Sequence, residues 1–174
     1  MGMERLFTNI LGTPVTDDND RRPITFVKDV LIDPESGTLV ALIVDISQNL
    51  VIVPIDILDW GESIRISSHE AIIEGKEVLR VAEVQKKNIG ILHNRVETKD
   101  KEYIGNVVDF SIDSKDLKLK KLYTAKSVLG LVRYDSRIIP SKNIERILPK
   151  KIIVKENFHP VYEPSNAMVE EAVA

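Results

Sequence analysis

The chain has 174 residues, 43% apolar and 5% aromatic, with 24 basic residues, 27 acidic residues and no cysteine. This composition excludes a disordered tail, a disulfide framework, a thiolate metal site and a cysteine nucleophile. No apolar run reaches the roughly 18–20 residues of a membrane helix, and Met1-Gly2-Met3-Glu4-Arg5 is neither a signal peptide nor a myristoylation site, so a cytoplasmic protein is expected. The net charge of −3 is unevenly spread: residues 1–88 carry −6, residues 89–154 carry +6 and residues 155–174 carry −3. Such asymmetry predicts two units, which either attract a charged partner or complement each other.

Taken in chain order, short Ile/Val-rich runs alternate with turn residues. Asp17-Asp18-Asn19-Asp20 reads as a hairpin tip; it has Arg22 and Lys28 where a Ca²⁺ loop requires Gly and a bidentate Glu. Val27 to Asp33 is a strand, followed by the turn Asp33-Pro34-Glu35-Ser36-Gly37, in which Pro presets φ and Gly accepts a positive φ. Leu39 to Val44 and Leu50 to Val53 are apolar at every position, Pro54 ends the pairing, and Trp60 precedes the strand Ile64-Arg65-Ile66. Ser67 and Glu70 have capping-box spacing, but Ala71-Ile72-Ile73 and Gly75 read better as a strand and its turn. A short connecting helix is predicted over 79–88, where Val78, Val81 and Ala82 share a face. Beyond it come Val107 to Phe110, the turn Asp113 to Asp116, the mixed strand Lys118 to Leu122, Ile138-Ile139-Pro140 and Ile152-Ile153-Val154. Residues 157–174, with Pro160 and Pro164 and an acidic end, read as a flexible tail.

The second half repeats the first. Val27, Asp29, Ile32, Asp33, Leu39 and Leu42 recur as Val107, Asp109, Ile112, Asp113, Leu119 and Leu122, an offset of 80; Pro54 recurs as Pro140 at 86, and Ile64 as Ile152 at 88. A slowly growing offset is the signature of one unit used twice, with small loop insertions. Each copy orders its pieces alike: Leu11-Gly12-Thr13-Pro14-Val15, Val27-Lys28-Asp29-Val30, the Asp33–Gly37 turn and Val53-Pro54 in the first; Asn94-Arg95-Val96, Gly105-Asn106-Val107-Val108-Asp109 and Ile139-Pro140 in the second.

This order resembles the PRC-barrel family, named from the photosynthetic reaction centre H subunit and also found in the 16S ribosomal RNA maturation factor. The first copy departs from the family pattern at Pro23-Ile24-Thr25, where a Gly is missing, and the second at Leu117, where the turn Gly is missing. The resemblance implies an all-β chain of two tandem small β-barrels, residues 1–88 acidic and residues 89–156 basic, joined by the short helix. It further implies a binding protein that works in a protein complex, at a membrane surface or in ribosome maturation.

No motif for chemistry stands out. His69, His93 and His159 are dispersed, and there is no phosphate-binding Gly-rich loop and no Gly-x-Ser-x-Gly elbow. The small barrels expected here fill their interiors with side chains, so no catalytic residue, metal or cofactor is expected and an enzyme is the weakest reading. The expectation is a non-enzymatic adaptor. An all-apolar strand must be covered on both faces, which makes the outer face at Val40 and Ala41, with Trp60 beside it as an anchor or a plug, the candidate surface for a protein partner or a second copy. The alternative is RNA contact through the basic half at Lys118, Lys120 and Lys121, with Tyr123 and Tyr134 interleaved. Peripheral membrane association is a further expectation.

Overall fold

The computed structural model describes residues 3–18, 22–126, 136–155 and 161–162. The chain opens with a strand β1 (Glu4–Leu6) and a single helical turn α1 (Phe7–Ile10). A first set of short strands follows: β2 (Pro14–Asp17), β3 (Pro23–Phe26), β4 (Asp29–Ile32), β5 (Leu39–Asp45), β6 (Leu50–Ile52), β7 (Ile57–Trp60), β8 (Ile64–Ile66) and β9 (Ile73–Glu74). The helix α2 (Leu79–Lys87) lies where the sequence predicts it. Beyond it come β10 (Arg95–Thr98), β11 (Tyr103–Asp113), β12 (Leu119–Ala125), β13 (Arg137–Pro140), β14 (Ile144–Leu148), β15 (Lys151–Val154) and β16 (Val161–Tyr162). β16 falls in the stretch read from sequence as a tail; the rest of 157–174 lies outside the described residues.

The pairing is the same in both halves. β2 runs parallel to β8, and β10 runs parallel to β15. β4, β5, β6 and β9 pair in that order, as do β11, β12, β13 and β16. The loops repeat as well. Gly12 N–H and His93 N–H donate to the carbonyls of Val27 and Val107, both at 2.8 Å. The two turns close with Gly37 N–H on Asp33 and Leu117 N–H on Asp113, at 2.8 and 2.9 Å. Leu117 adopts φ +55°, matching the +68° of Gly37, although a left-handed Leu is costly. The missing turn glycine therefore leaves the turn intact.

The chain is predominantly β-structure, as its β-branched runs predict, and among the described residues the strand pairing closes no barrel in either repeat. Among the described residues the second repeat is one continuous sheet that runs from β14 to β16, and the first is divided into β3-β2-β8-β7 and β4-β5-β6-β9. The physical difference is at one residue. Gly105 has φ +151°, and a Cβ there would lie 2.8 Å from the carbonyl oxygen of Ala125. Without a side chain the long strand β11 folds tightly over β12, and Asn106 pairs with both Arg95 and Ala125. The matching residue in the first repeat is Thr25, opposite Val15 as Gly105 is opposite Val96. There the strand breaks at Val27-Lys28 and resumes as β4, with Lys28 N–H donating to Ile43 at 2.7 Å.

The halves meet back to back. Thr38 bridges Lys118, Leu39 N–H donates to Leu117 at 2.7 Å, and Leu119 N–H donates to Gly37 at 2.8 Å. Thr38 meets its own equivalent 80 positions away, and the Leu39–Leu117 and Leu119–Gly37 bonds exchange under the same offset, so the two repeats are related by a local two-fold. One apolar core, including Ile10, Val15, Leu42, Ile64, Val96, Leu122 and Ile152, runs through both repeats. β1 strengthens the junction: it pairs with β11 of the second repeat, and Arg5 donates to the Trp60 carbonyl of the first at 3.2 Å.

Candidate functional site

The residues expected to form the partner surface occupy equivalent places in the two repeats. With the offset of 80, Thr38, Val40 and Ala41 correspond to Lys118, Lys120 and Lys121. In the first repeat β5 alternates as a buried strand should, with Leu42 and Val44 toward the main core. Ala41 and Ile43 face the other way, into a second apolar cluster with Val51 and with Val78 and Val81 at and inside the start of α2. The cover demanded by the apolar strand is thus supplied in large part by the chain's own helix. Ala41 is fully buried beneath it.

Trp60, at 8% exposure, is packed in the main core with its indole N–H buried and without a partner among the described residues. Ala41 and Trp60 are consequently enclosed within this chain, and the candidate surface narrows to Val40. That side chain is half-buried and lines a groove of about 500 Å³ with Leu39, Val53, Pro54, Ile55 and Val78. Ile55, on its wall, is 88% exposed.

One end of the groove is polar. Asp33, 1% exposed, accepts from the Ser36 hydroxyl at 2.6 Å and from Arg80 at 2.7 Å, with the Lys87 ammonium at 3.8 Å. Burial pushes this carboxyl up. The Ser36 and Glu35 hydrogen bonds and the two cations outweigh burial and hold it below the ordinary range.

On the second repeat the same positions are wet and charged, and two of the three lysines are already engaged. Lys120 pairs with Asp116 at 2.5 Å and Lys121 with Glu4 at 2.8 Å. Burial raises Glu4, but the bonds from Lys121, Ser111 and Tyr123 overcome it and hold the carboxyl low. Lys118 is exposed. Arg133 and Tyr134 of the basic half lie outside the described residues. Of the described ion pairs, Glu4–Lys121 is the one that joins the acidic and basic halves; Arg65–Asp18, Lys87–Glu35, Lys151–Glu97 and Lys99–Glu145 each stay within one half.

A second concavity, not anticipated from the sequence, lies between the repeats. It measures about 360 Å³ and is walled by Val30 and Ile32 of β4, Ile89 and Leu92 after α2, and the rings of Phe7 and Phe110. Asp29 is its acidic group. Burial raises the Asp29 carboxyl above the ordinary range, against the lowering effect of its one described hydrogen bond, from Val30 N–H at 2.7 Å. The signal for this cavity was present in the repeat alignment, where Val30 stands opposite Phe110, but a missing aromatic is visible only once the filled copy is known.

Among the described residues, no three His, Asp or Glu side chains come together as metal ligands would, and no helix is long and apolar enough to cross a membrane. No protein-family model matches the chain, and no curated protein matches it.

Proposed function

We propose that the protein is a non-enzymatic binding adaptor of PRC-barrel type that holds a protein partner in the groove beside Val40. The observation that carries this reading is the groove itself: an apolar lining that includes Val40, Val53 and Val78, with the bare side chain of Ile55 on its wall and Arg80 among its polar residues. Two or three apolar side chains of a partner segment would fill it, and the charged end would fix their direction. The equivalent strand of the second repeat presents lysines, so the groove belongs to the first repeat.

The alternative, an RNA-associated factor acting through Lys118, Lys120 and Lys121, is weakened by the carboxylates that already hold Lys120 and Lys121. The two readings separate by salt. RNA binding falls steeply as salt rises, because each neutralised phosphate releases counterions; an apolar groove holds its partner at moderate salt. The experiment is affinity capture from lysate with and without nuclease, using the parent and the variants Val40→Asp and Ile55→Asp. The expected result is a nuclease-resistant, salt-tolerant partner that both variants lose while their circular dichroism stays that of the parent. Folded variants that still hold the same partner would overturn the reading. Ala41→Asp is unsuitable for this test, because it puts a charge under α2.

A further inference from the structure

One carboxylate has a partner in the second repeat and lacks it in the first. Asp29 and Asp109 are equivalent, and each accepts the N–H of the residue that follows it, at 2.7 and 2.8 Å. Asp109 also accepts the Thr8 hydroxyl at 2.6 Å and the Thr8 N–H at 3.3 Å. Beside it, Phe7 stacks on Phe110 with centroids 4.8 Å apart. The chain's own N-terminal segment therefore fills this place in the second repeat.

The hydrogen bonds of Thr13 N–H to Ile10 and of Asn94 N–H to Ile91 align the lead-in segments of the first and second repeats at an offset of 81. Asn88, Ile89 and Val30 thus stand where Phe7, Thr8 and Phe110 stand. Ile89 has no side-chain donor for Asp29, and Asn88 and Val30 are too small to replace the aromatic pair. What remains is the open cavity of about 360 Å³. The nearby Gln85 amide is committed to Asn49 in both directions, at 2.7 and 3.2 Å.

We propose that this cavity is a binding site for a small organic monocation, an ammonium group carried on an apolar or aromatic body. The ammonium replaces the missing Thr8 equivalent on Asp29, a charge-assisted bond stronger than a neutral one. The apolar body takes the volume vacated by the aromatic pair, against Val30, Ile89 and Leu92, where the rings of Phe7 and Phe110 also favour a cation. The volume is at the lower end of the range for small-ligand sites, which limits the ligand to a single ring or a short chain. An anion is repelled by Asp29, and a neutral hydroxyl offers that carboxylate only the uncharged kind of bond that Thr8 makes to Asp109, weaker than the bond from an ammonium.

The test is calorimetric titration of the full chain with 2-phenylethylammonium, with 2-phenylethanol as the neutral compound of the same shape. The expected result is one saturable site that prefers the cation by about tenfold or more. Asp29→Asn should bring the cation down to the level of the alcohol. The double variant Val30→Phe with Ile89→Thr brings two of these three side chains of the second repeat into the first and should lose both probes while remaining folded. If Asp29→Asn does not fold, the double variant and the alcohol comparison still decide. The proposal is overturned if the parent shows no saturable binding at millimolar cation, if cation and alcohol bind alike, or if a folded double variant binds as the parent does.

Discussion

The first and second repeats share their strand pairing, their turns and their loop hydrogen bonds, yet they solve the same corner differently. In the second, Gly105 lets β11 turn under the Ala125 carbonyl without leaving the sheet. In the first, Thr25 occupies that place and the strand is interrupted at Val27-Lys28, dividing the sheet in two. A β-sheet tolerates a sharp bend either by removing a side chain or by giving up a few ladder bonds. One chain displays both solutions on the same topology.

The largest expected effect comes from exchanging those residues. Gly105→Thr places a Cβ 2.8 Å from a backbone oxygen at a φ of +151°, and should destabilise the chain by about 3 kcal/mol or more. Thr25→Gly should cost less than about 1 kcal/mol, through chain entropy alone. Urea unfolding of both variants measures the difference; equal costs would show that the corner does not depend on this glycine.

The turn carboxylates come next. Asp33 is buried beneath two cations, whereas Asp113 accepts the N–H groups of Lys115 and Asp116 at 2.8 and 3.2 Å on a more open turn. Asp33→Asn should cost about 2 kcal/mol, and Asp113→Asn less than half of that. Both carboxyls are held below their ordinary value, burial of Asp33 being outweighed by its hydrogen bonds and cations, and Asp113 being held by its two backbone N–H bonds. The unfolded chain therefore takes up protons first as pH falls. The stability from these groups is complete above about pH 4 and is lost as pH drops through the folded values. Acid unfolding of Asp33→Asn should be flatter than that of the parent below pH 4; an unchanged acid limb would show that Asp33 carries none of it.

The smallest effect concerns the left-handed turn position. Gly37→Ala should cost about 1 kcal/mol, because a Cβ there meets Leu119 only at an ordinary 3.6 Å and the penalty is conformational. Leu117→Gly should change stability little, since relief of the φ of +55° is offset by lost packing of Leu117 on the core. Thermal unfolding of the pair gives the answer, and a large gain from Leu117→Gly would mean that its side chain contributes no packing.

Much of the architecture was legible because it is written twice. The offset of 80 located the strands and the two turns, and the shared face of Val78 and Val81 located α2. What covers Val40 and Ala41 was not legible, since an apolar strand states that a cover is needed without naming it; α2 hides Ala41 and leaves Val40 in a groove. β1 was missed because three residues, Glu4 to Leu6, have no periodicity to read. The bridge between Thr38 and Lys118 was missed because backbone pairing between two turns leaves no mark on side-chain pattern. Trp60 was read as an anchor or a plug; nothing in the sequence shows that the Arg5 guanidinium closes over its carbonyl.

The bridge between the two turns has a consequence of mass action. A contact whose two sides exchange under the repeat offset is self-complementary, the geometry of a symmetric dimer. Two separate copies of one repeat would form it at a rate and extent set by their concentration. Joined through α2 they meet at an effective concentration on the order of millimolar, whatever the dilution of the protein. The tether also relieves the pair of the need to stay identical: one copy can keep its cradle filled by Phe7 and Thr8, while the other leaves the same cradle vacant.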